Sequence, residues 1–252
     1  MLNKIIKIKK STIILTSIMV MFSVGCLYLA LNYYTGVNEA EDPRIISAKS
    51  KYAKYNSSVH DLSYAELFQI LDTVFIIYNQ YDDYKNSYEI GVISNNRGAI
   101  WLQIALTETD SIKKDSLLCL AQDAVNKSIE VYTNWTKEFG VLSEDEIKIR
   151  MNTIYFSSKY GYERKKAIEY ASKRTDDIIV AQKEIARRLS VSYTNLGLIF
   201  RLSNQNIEAL NNYEKALKLW PNNLSAENNI NIILGKPLKE INIIDKLFPE
   251  NK

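Results

Sequence analysis

The stretch Ser192–Asn223, SYTNLGLIFRLSNQNIEALNNYEKALKLWPNN, decides the fold of this 252-residue chain. Three small residues, Gly197, Ala209 and Ala216, stand there among larger ones. Two antiparallel helices approach closely only where the side chains at their crossing are small. We therefore expect Gly197 and Ala209 at such a crossing, Ala216 at the contact with a further helix, and Pro221 at the end of the second helix.

Eight residues of this region fall at fixed spacing when Ser190 is taken as position one. They occupy positions 4, 7, 8, 11, 20, 24, 27 and 32, and are Tyr193, Leu196, Gly197, Phe200, Ala209, Tyr213, Ala216 and Pro221. The pattern resembles the tetratricopeptide repeat, with aromatic variants at three positions. The resemblance implies a helix pair over 190–223, with Asn204 suited to the left-handed turn between the helices.

One such repeat cannot bury its own faces, so the sequence predicts neighbouring units. A weaker unit near 91–131 places Gly98 at position 8 and Trp101 at position 11, and an insertion of 11 residues in its turn then brings second-helix positions to Ala121, Val125 and Ser128. A third unit, near 224–247, has Asn231 in place of the glycine and is interpreted as a degenerate repeat or cap.

Helical patterns fill the chain from about residue 62 to residue 247. Two capping boxes, Ser63 with Glu66 and Ser143 with Glu146, mark helix starts. No segment alternates with period two, and only 8 glycines and 4 prolines are present. The prediction is an all-α fold of antiparallel helix-pair repeats in a superhelical array. The register of 132–189 stays open, and 35–61 is interpreted as a linker.

An apolar run near the N-terminus predicts a membrane anchor over 12–34. Its core, IILTSIMVMFSVGCLYLAL, is 19 residues long and would span about 28 Å as a helix, close to the thickness of a bilayer's hydrocarbon core. Four lysines lie in the stub 1–11 and acidic residues follow the run. This asymmetry predicts a single-pass protein of bacterial type, with its N-terminus in the cytoplasm and its body on the periplasmic side. A cleaved signal peptide is the main alternative.

The two cysteines allow separate interpretations. Cys26, in SVGC, resembles the acylated cysteine of a lipobox, although Ser23 stands where leucine is usual and apolar residues follow. Cys119 lies in an apolar helical pattern, and we expect it to be buried rather than reactive.

Charge and composition exclude several classes of function. The formal net charge of +3 contains the four N-terminal lysines, so the body is nearly neutral and lacks the basic surface of a nucleic-acid-binding protein. The single histidine, His60, lies in the interpreted linker, which argues against a histidine-centred metal site or a Ser-His-Asp triad. No phosphate loop or dinucleotide turn occurs. We expect no catalysis, cofactor or metal, although a carboxylate pair assembled by folding stays open.

The resemblance implies a concave face, lined by first helices, that binds a protein or peptide. The candidate residues in the clearest repeat are Val191, Thr194, Asn195, Leu198 and Arg201. Position 6 is asparagine in all three units, namely Asn96, Asn195 and Asn229, and in some family members this residue holds a ligand backbone or carboxylate. Position 2 carries no cation here, which argues against carboxylate capture, and a purely structural role of the asparagines stays open.

Two hypotheses of function follow. The first is a membrane-tethered scaffold that binds a partner protein or peptide outside the cytoplasm. The alternative is an extracytoplasmic, lipoprotein-like protein that binds a glycan or peptide in an aromatic pocket, for which the tryptophans are candidates: Trp101, Trp135 and Trp220.

Overall fold

The computed structural model describes residues 40–157 and 159–240, together with Met19, Phe22, Ser23, Val24 and Leu27. Eight helices have both ends within this part of the chain, which contains no strand. They are α1 (Ile46–Ser58), α2 (Tyr64–Asn79), α3 (Tyr88–Thr107), α4 (Ser111–Phe139), α5 (Glu144–Tyr155), α6 (Arg164–Leu202), α7 (Asn206–Leu219) and α8 (Leu224–Ile233). The predicted all-α class is confirmed.

Most of the predicted anchor, 12–34, lies outside the described residues, as do Cys26, the stub 1–11 and residues 241–247. The five described positions between 19 and 27 are helical and exposed. Within the described residues, none of the helices combines the length and the apolar character needed to cross a bilayer. The anchor and the acylation of Cys26 therefore stay predictions.

The interpretation of 35–61 as a linker is wrong for residues 40–61. This segment contains α1, which packs on α2, and it buries Ile45, Ala48 and Tyr55 in one apolar cluster with α2 and α3. The three buried residues are separated by lysines and serines, so the apolar face is too sparse to show as a periodic pattern. The folded body thus includes residues 40–61, and His60 is an exposed residue just after α1.

The start of a helix was predictable where a capping box marks it. The Ser63 hydroxyl accepts a hydrogen bond from the Glu66 amide, and the Glu66 carboxylate accepts one from the Ser63 amide at 2.9 Å. Ser143 and Glu146 make the same pair of bonds at the start of α5. Both predicted boxes are confirmed, because each needs only residues three positions apart.

The helix pair predicted from the opening stretch consists of the C-terminal part of α6 with α7. Gly197 lies against the ring of Tyr213, where a Cβ on the glycine would come 2.6 Å from the tyrosine Cε1. Ala209 and Ala216 are fully buried. Asn204 adopts the left-handed conformation (φ 59°) between the two helices, as expected. Gly197 therefore allows the close approach that its spacing predicts, and Ala209 and Ala216 share an apolar cluster with Tyr213 and with Ala226 of α8.

Helix α6 is much longer than a repeat helix. It runs for 39 residues, about 60 Å at 1.5 Å per residue. It packs on α5 and α4 and, near its C-terminal end, pairs with α7. One continuous helix thus connects the repeat that begins at Ser190 to the end of the segment 132–189, whose helical register the sequence leaves open.

Helices α3 and α4 form a second antiparallel pair with the predicted contacts. A Cβ on Gly98 would lie 2.5 Å from Cγ2 of Val125, and Ala121 and Ser128 are fully buried. The predicted insertion in the turn is wrong, because only three residues separate the two helices. The additional residues extend both helices beyond the crossing, which adds buried helical surface without lengthening the loop.

The third unit consists of α8 followed by residues without a helix up to Glu240. Asn223 joins α8 to the repeat: its side chain accepts from the Ala226 amide and donates to the hydroxyls of Ser190 (2.8 Å) and Thr194 (2.9 Å). Over the described residues, this agrees with a cap rather than a complete helix pair.

Cys119 is exposed, contrary to the expectation of a buried residue. The buried face of α4 nearby runs through Leu118, Ala121 and Val125. Cys119 is one position away from Leu118, which on a helix turns it about 100° out of that face.

Candidate functional site

Two adjoining hollows lie between α1, α3 and α6, and together we call them the α1–α6 groove. Their volumes are about 200 and 210 Å³, and both are lined by Tyr52 of α1, Val92 of α3 and Arg188 of α6. The first hollow is also lined by Lys49, Val74, Tyr78, Tyr88, Glu89 and Ile93. The second is also lined by Asn95, Asn96, Tyr132, Arg187 and Val191.

The lining residues follow helical spacing on each element. On α3, Val92, Asn95 and Asn96 are separated by three and four positions, so they share one face. On α6, Arg188 and Val191 share a face in the same way. The sequence predicts Asn96 and Val191 as candidates, but it gives no sign of α1, which supplies the third wall of the groove.

Amide and hydroxyl groups connect the walls of the groove. The Asn96 side chain donates a hydrogen bond to the Tyr52 hydroxyl at 2.9 Å. The Asn195 side chain donates to Oδ1 of Asn95 at 3.0 Å, and the Ser192 hydroxyl donates to the same oxygen at 3.1 Å. Asn96 and Asn195 therefore have structural partners in this state, whereas Asn95, which was not predicted, is the residue on which the bonds from α6 converge.

The position of Tyr132 depends on a glycine that the repeat pattern did not include. A Cβ on Gly91 would lie 2.5 Å from Cε1 of Tyr132, so the ring rests directly on the backbone of α3. Burial raises the pKa of Tyr132, against the opposing charge of Arg188. The Tyr132 hydroxyl is consequently protonated at neutral pH and can donate a hydrogen bond at the wall of the second hollow.

Most charged residues of the groove have a charged partner. Lys49 pairs with Asp177 at 2.7 Å and Arg187 pairs with Glu184 at 2.7 Å. Glu89 forms a buried pair with Arg174. Arg188 differs: no ion pair links it to any carboxylate of the described residues, and its Nε is buried without a hydrogen-bond acceptor. The centroid of the Tyr88 ring lies 5.9 Å from its guanidinium carbon.

Three predicted residues of the first helix do not line the groove. Thr194 is buried and accepts a hydrogen bond from Asn223, so it faces the start of α8. Leu198 packs against the apolar cluster that α3 and α4 form with α6. Arg201 lies beside Tyr213, whose pKa burial raises to about 12 against the lowering effect of Arg201. The C-terminal part of α6 is covered by helices on several sides, which single-helix periodicity does not reveal.

Asn229 does not belong to the site. Its side chain donates to the backbone oxygen of Ser225 within α8 at 2.8 Å. Of the predicted residues, the structure thus brings Asn96 and Val191 to the groove, with Asn195 just behind its wall.

The tryptophans lie outside the groove, although Trp135 lines a separate hollow of about 150 Å³ together with Tyr84, Phe139 and Tyr155. The Trp101 ring lies 4.4 Å from that of Phe68, and the Trp135 ring 5.3 Å from that of Phe139, measured between centroids. Trp220 follows α7 and lies 5.8 Å from the Arg187 guanidinium. The aromatic groups of the groove are tyrosines instead. No set of three or more metal-ligating side chains gathers anywhere in the described residues.

A second polar cluster, which we call the Asp42 cluster, consists of Asp42, Arg44, Tyr84, Tyr155 and Tyr162. The Asp42 carboxylate is 3% exposed and accepts bonds from Arg44 (2.6 Å), the Tyr155 hydroxyl (2.8 Å) and the Tyr84 hydroxyl (3.1 Å), with Tyr162 at 3.4 Å. Burial alone raises the pKa of Asp42, but the hydrogen bonds and charge of Arg44 outweigh it and hold the pKa below its ordinary value. The cluster fixes the segment before α1 against the α2–α3 connection, α5 and the segment before α6.

No family model matches the chain, and comparisons with curated proteins and with solved structures gave no match. Over the described residues, the fold and the groove define an all-α protein with antiparallel helix pairs and a polar, tyrosine-lined groove. The tetratricopeptide assignment stays an interpretation of residue spacing and helix packing.

Proposed function

We propose that this protein is a membrane-tethered, tetratricopeptide-like module that binds a segment of a partner protein in the α1–α6 groove. The observation that carries the proposal is the pair of adjoining hollows that share Tyr52, Val92 and Arg188. A single side chain fills one hollow at most, so occupation of both requires a ligand with several groups along its length, such as a peptide.

The chemistry of the walls suits a peptide. Tyrosine rings offer large contact area with few rotatable bonds, and each ring also carries a hydroxyl. The side-chain amides of Asn95 and Asn96 lie at the second hollow, where they can exchange their internal hydrogen bonds for bonds to a peptide backbone. Each such bond contributes only about 1 kcal/mol net, so shape and contact area must supply most of the affinity.

The tether is part of the proposal and rests on the apolar run before residue 35. Membrane fractionation followed by protease treatment of intact spheroplasts tests it. We expect the chain in the membrane fraction, with its body accessible to protease. A soluble chain, or a body that stays protected, would contradict the proposed location.

The binding function is tested by filling the second hollow. Val191 is 37% exposed and lines that hollow, whereas Val180, on the same helix, is 58% exposed and lines neither. We expect Val191→Trp to weaken capture of a crosslinked partner from membranes, and Val180→Trp to leave it unchanged. An overpacking penalty of about 1–3 kcal/mol corresponds to a loss of affinity of roughly 5-fold to 150-fold.

The readout is quantitative recovery of each crosslinked protein by the two variants and the unaltered chain. A protein recovered equally by all three does not use the groove. If every captured protein behaves in this way, the proposed function is wrong. Selective retention of glycans that Val191→Trp abolishes would favour the alternative of a glycan-binding protein.

A further inference from the structure

The cationic groups of the groove differ in what neutralises them. Lys49 and Arg187 each have a carboxylate partner in the folded chain. The Arg188 guanidinium has none among the described residues, and the hydroxyl that reaches it is that of Tyr132, a neutral group. A partly buried guanidinium without an anion gives up hydration that it does not regain from the protein.

The Nε atom of Arg188 makes this deficit specific. It is buried and lacks an acceptor in the described part of the chain. An unsatisfied buried donor costs about 1–3 kcal/mol, and more when it belongs to a charged group. A carboxylate can accept two parallel bonds from an arginine, and such charge-assisted bonds are stronger than neutral ones.

The position of Arg188 indicates where along the ligand the anion lies. Arg188 lines both hollows, so a ligand that occupies the two must pass over it. A carboxylate at the ligand's C-terminus would end the ligand at Arg188 and leave one hollow empty. An aspartate or glutamate side chain within the segment leaves chain on either side to fill both.

We propose that Arg188 recognises an internal aspartate or glutamate side chain of the bound segment, and that this contact sets the specificity of the groove. The proposal rests on the proposed function, because it names the chemistry of the ligand at the same site. Arg188 lies two residues before the repeat begins at Ser190, outside the signature positions, which is why the spacing of the repeat did not indicate it.

The test uses the full chain in mild detergent and a random library of 12-residue peptides. Selected peptides are resynthesised with acetylated and amidated ends, which removes the terminal charges. We expect the binders to contain a shared Asp or Glu, and its replacement by Asn or Gln to weaken binding about 30-fold or more, as for other hydrogen-bonded buried charge pairs. Arg188→Gln should cause a similar loss, and the two changes together should add little further loss.

Arg164→Gln is the matched control, because Arg164 is an exposed arginine at the other end of α6. It should leave affinity unchanged. Arg188→Lys retains the charge without the planar pair of donors, and we expect it to restore only part of the affinity. Should Arg188→Gln fail to fold, the peptide substitutions on the unaltered protein still decide the proposal.

The two proposals fail in different ways. One outcome is a set of peptides that lose binding in Val191→Trp yet contain no acidic residue, or bind equally well after that acidic residue is replaced. Such peptides overturn the role of Arg188 and leave the proposed use of the groove intact. Peptides that bind only with a free C-terminus assign the anion to that terminus and also overturn the proposal. If no peptide depends on Val191, the proposed function fails, and the role of Arg188 fails with it.

Discussion

The α6–α7 pair and the Asp42 cluster hold this protein together by opposite means. In the α6–α7 pair, Gly197 leaves room for the Tyr213 ring, and Ala209 shares a buried apolar cluster with that ring. In the Asp42 cluster, one buried carboxylate gathers hydrogen bonds from Arg44 and from tyrosines more than 40 residues away. The α6–α7 pair depends on the size of side chains at regular spacing along the sequence. The Asp42 cluster depends on a buried charge whose hydrogen-bond partners include groups from distant parts of the sequence.

The difference has a consequence for tolerance to mutation. A size mismatch between two helices can relax by a small shift of the helices, so its penalty is limited. A buried charge that loses its partner cannot relax without admitting water. The Asp42 cluster should therefore be the more sensitive region, although it lies at the edge of the folded body rather than in a repeat.

The largest expected effect is that of Asp42→Asn. The substitution keeps the shape of the side chain but leaves Arg44 partly buried with only the Asp83 carboxylate as an ionic partner. We expect a loss of about 3–5 kcal/mol in the free energy of unfolding, as when one partner of a buried pair is removed. Urea denaturation of the full chain in detergent, followed by circular dichroism, measures it. Asp82→Asn is the control, because Asp82 is exposed and should cost less than about 1 kcal/mol.

The difference in the free energy of unfolding between the original chain and Asp42→Asn should also depend on pH. Since the pKa of Asp42 is lowered in the folded state, its contribution is present above the unfolded pKa of about 3.9 and is lost as the pH falls through the folded value. The difference between the original chain and Asp42→Asn should thus narrow below about pH 4. A difference that stays constant down to pH 2 would show that the charge of Asp42 is not what stabilises the cluster.

A smaller effect is expected from Gly197→Leu. The added side chain has to displace the buried Tyr213 ring, for which we expect a penalty of about 1–3 kcal/mol in thermal unfolding. Ser172→Leu, at an exposed position of the same helix, is the control for the change in helix propensity. Combining Gly197→Leu with Tyr213→Ala should recover part of the loss if the overlap is with that ring. Equal melting temperatures for Gly197→Leu and the control would show that the small size of residue 197 is not what allows α6 and α7 to pack.

The smallest effect is expected from Asn223→Ala, which tests a polar contact inside the repeat region. The substitution removes the bond to the Ala226 amide and the bonds to Ser190 and Thr194. Loss of a helix cap costs about 1 kcal/mol, and we expect a total below that of Asp42→Asn because no charge is left unpaired. Asn222→Ala, one residue earlier and exposed, is the control. A larger loss of stability for Asn223→Ala than for Asp42→Asn would show that the repeat region, and not the Asp42 cluster, is the more sensitive to mutation.

Sequence reasoning succeeded where the determining residues are close along the chain. The capping boxes of α2 and α5, the turn at Asn204 and the crossing at Gly197 each depend on residues within about twenty positions. It failed for α1, whose buried residues are too sparse to form a pattern, and for the exposed Cys119. It also failed for Thr194 and Leu198, since a helix covered on several sides gives no sign of which face stays open.

The groove was predictable only in part. Asn96 and Val191 were identified because they occupy variable positions of first helices. Tyr52, Asn95 and Arg188 were not, since they become neighbours only when α1, α3 and α6 pack together. The same holds for Tyr132 of α4. Its ring packs against the backbone of α3 at Gly91, which is not one of the eight signature positions.

The sequence by itself determined the helical class, two helix pairs and the residues at their crossings, because periodicity and side-chain size act locally along the chain. Only the tertiary structure decided that residues 40–61 belong to the folded body, which helices enclose a groove, and which arginine of the groove has no carboxylate partner among the described residues. Those properties depend on burial and on the sum of charges around a point. Both are set by segments that lie far apart in the sequence and meet only in the folded state.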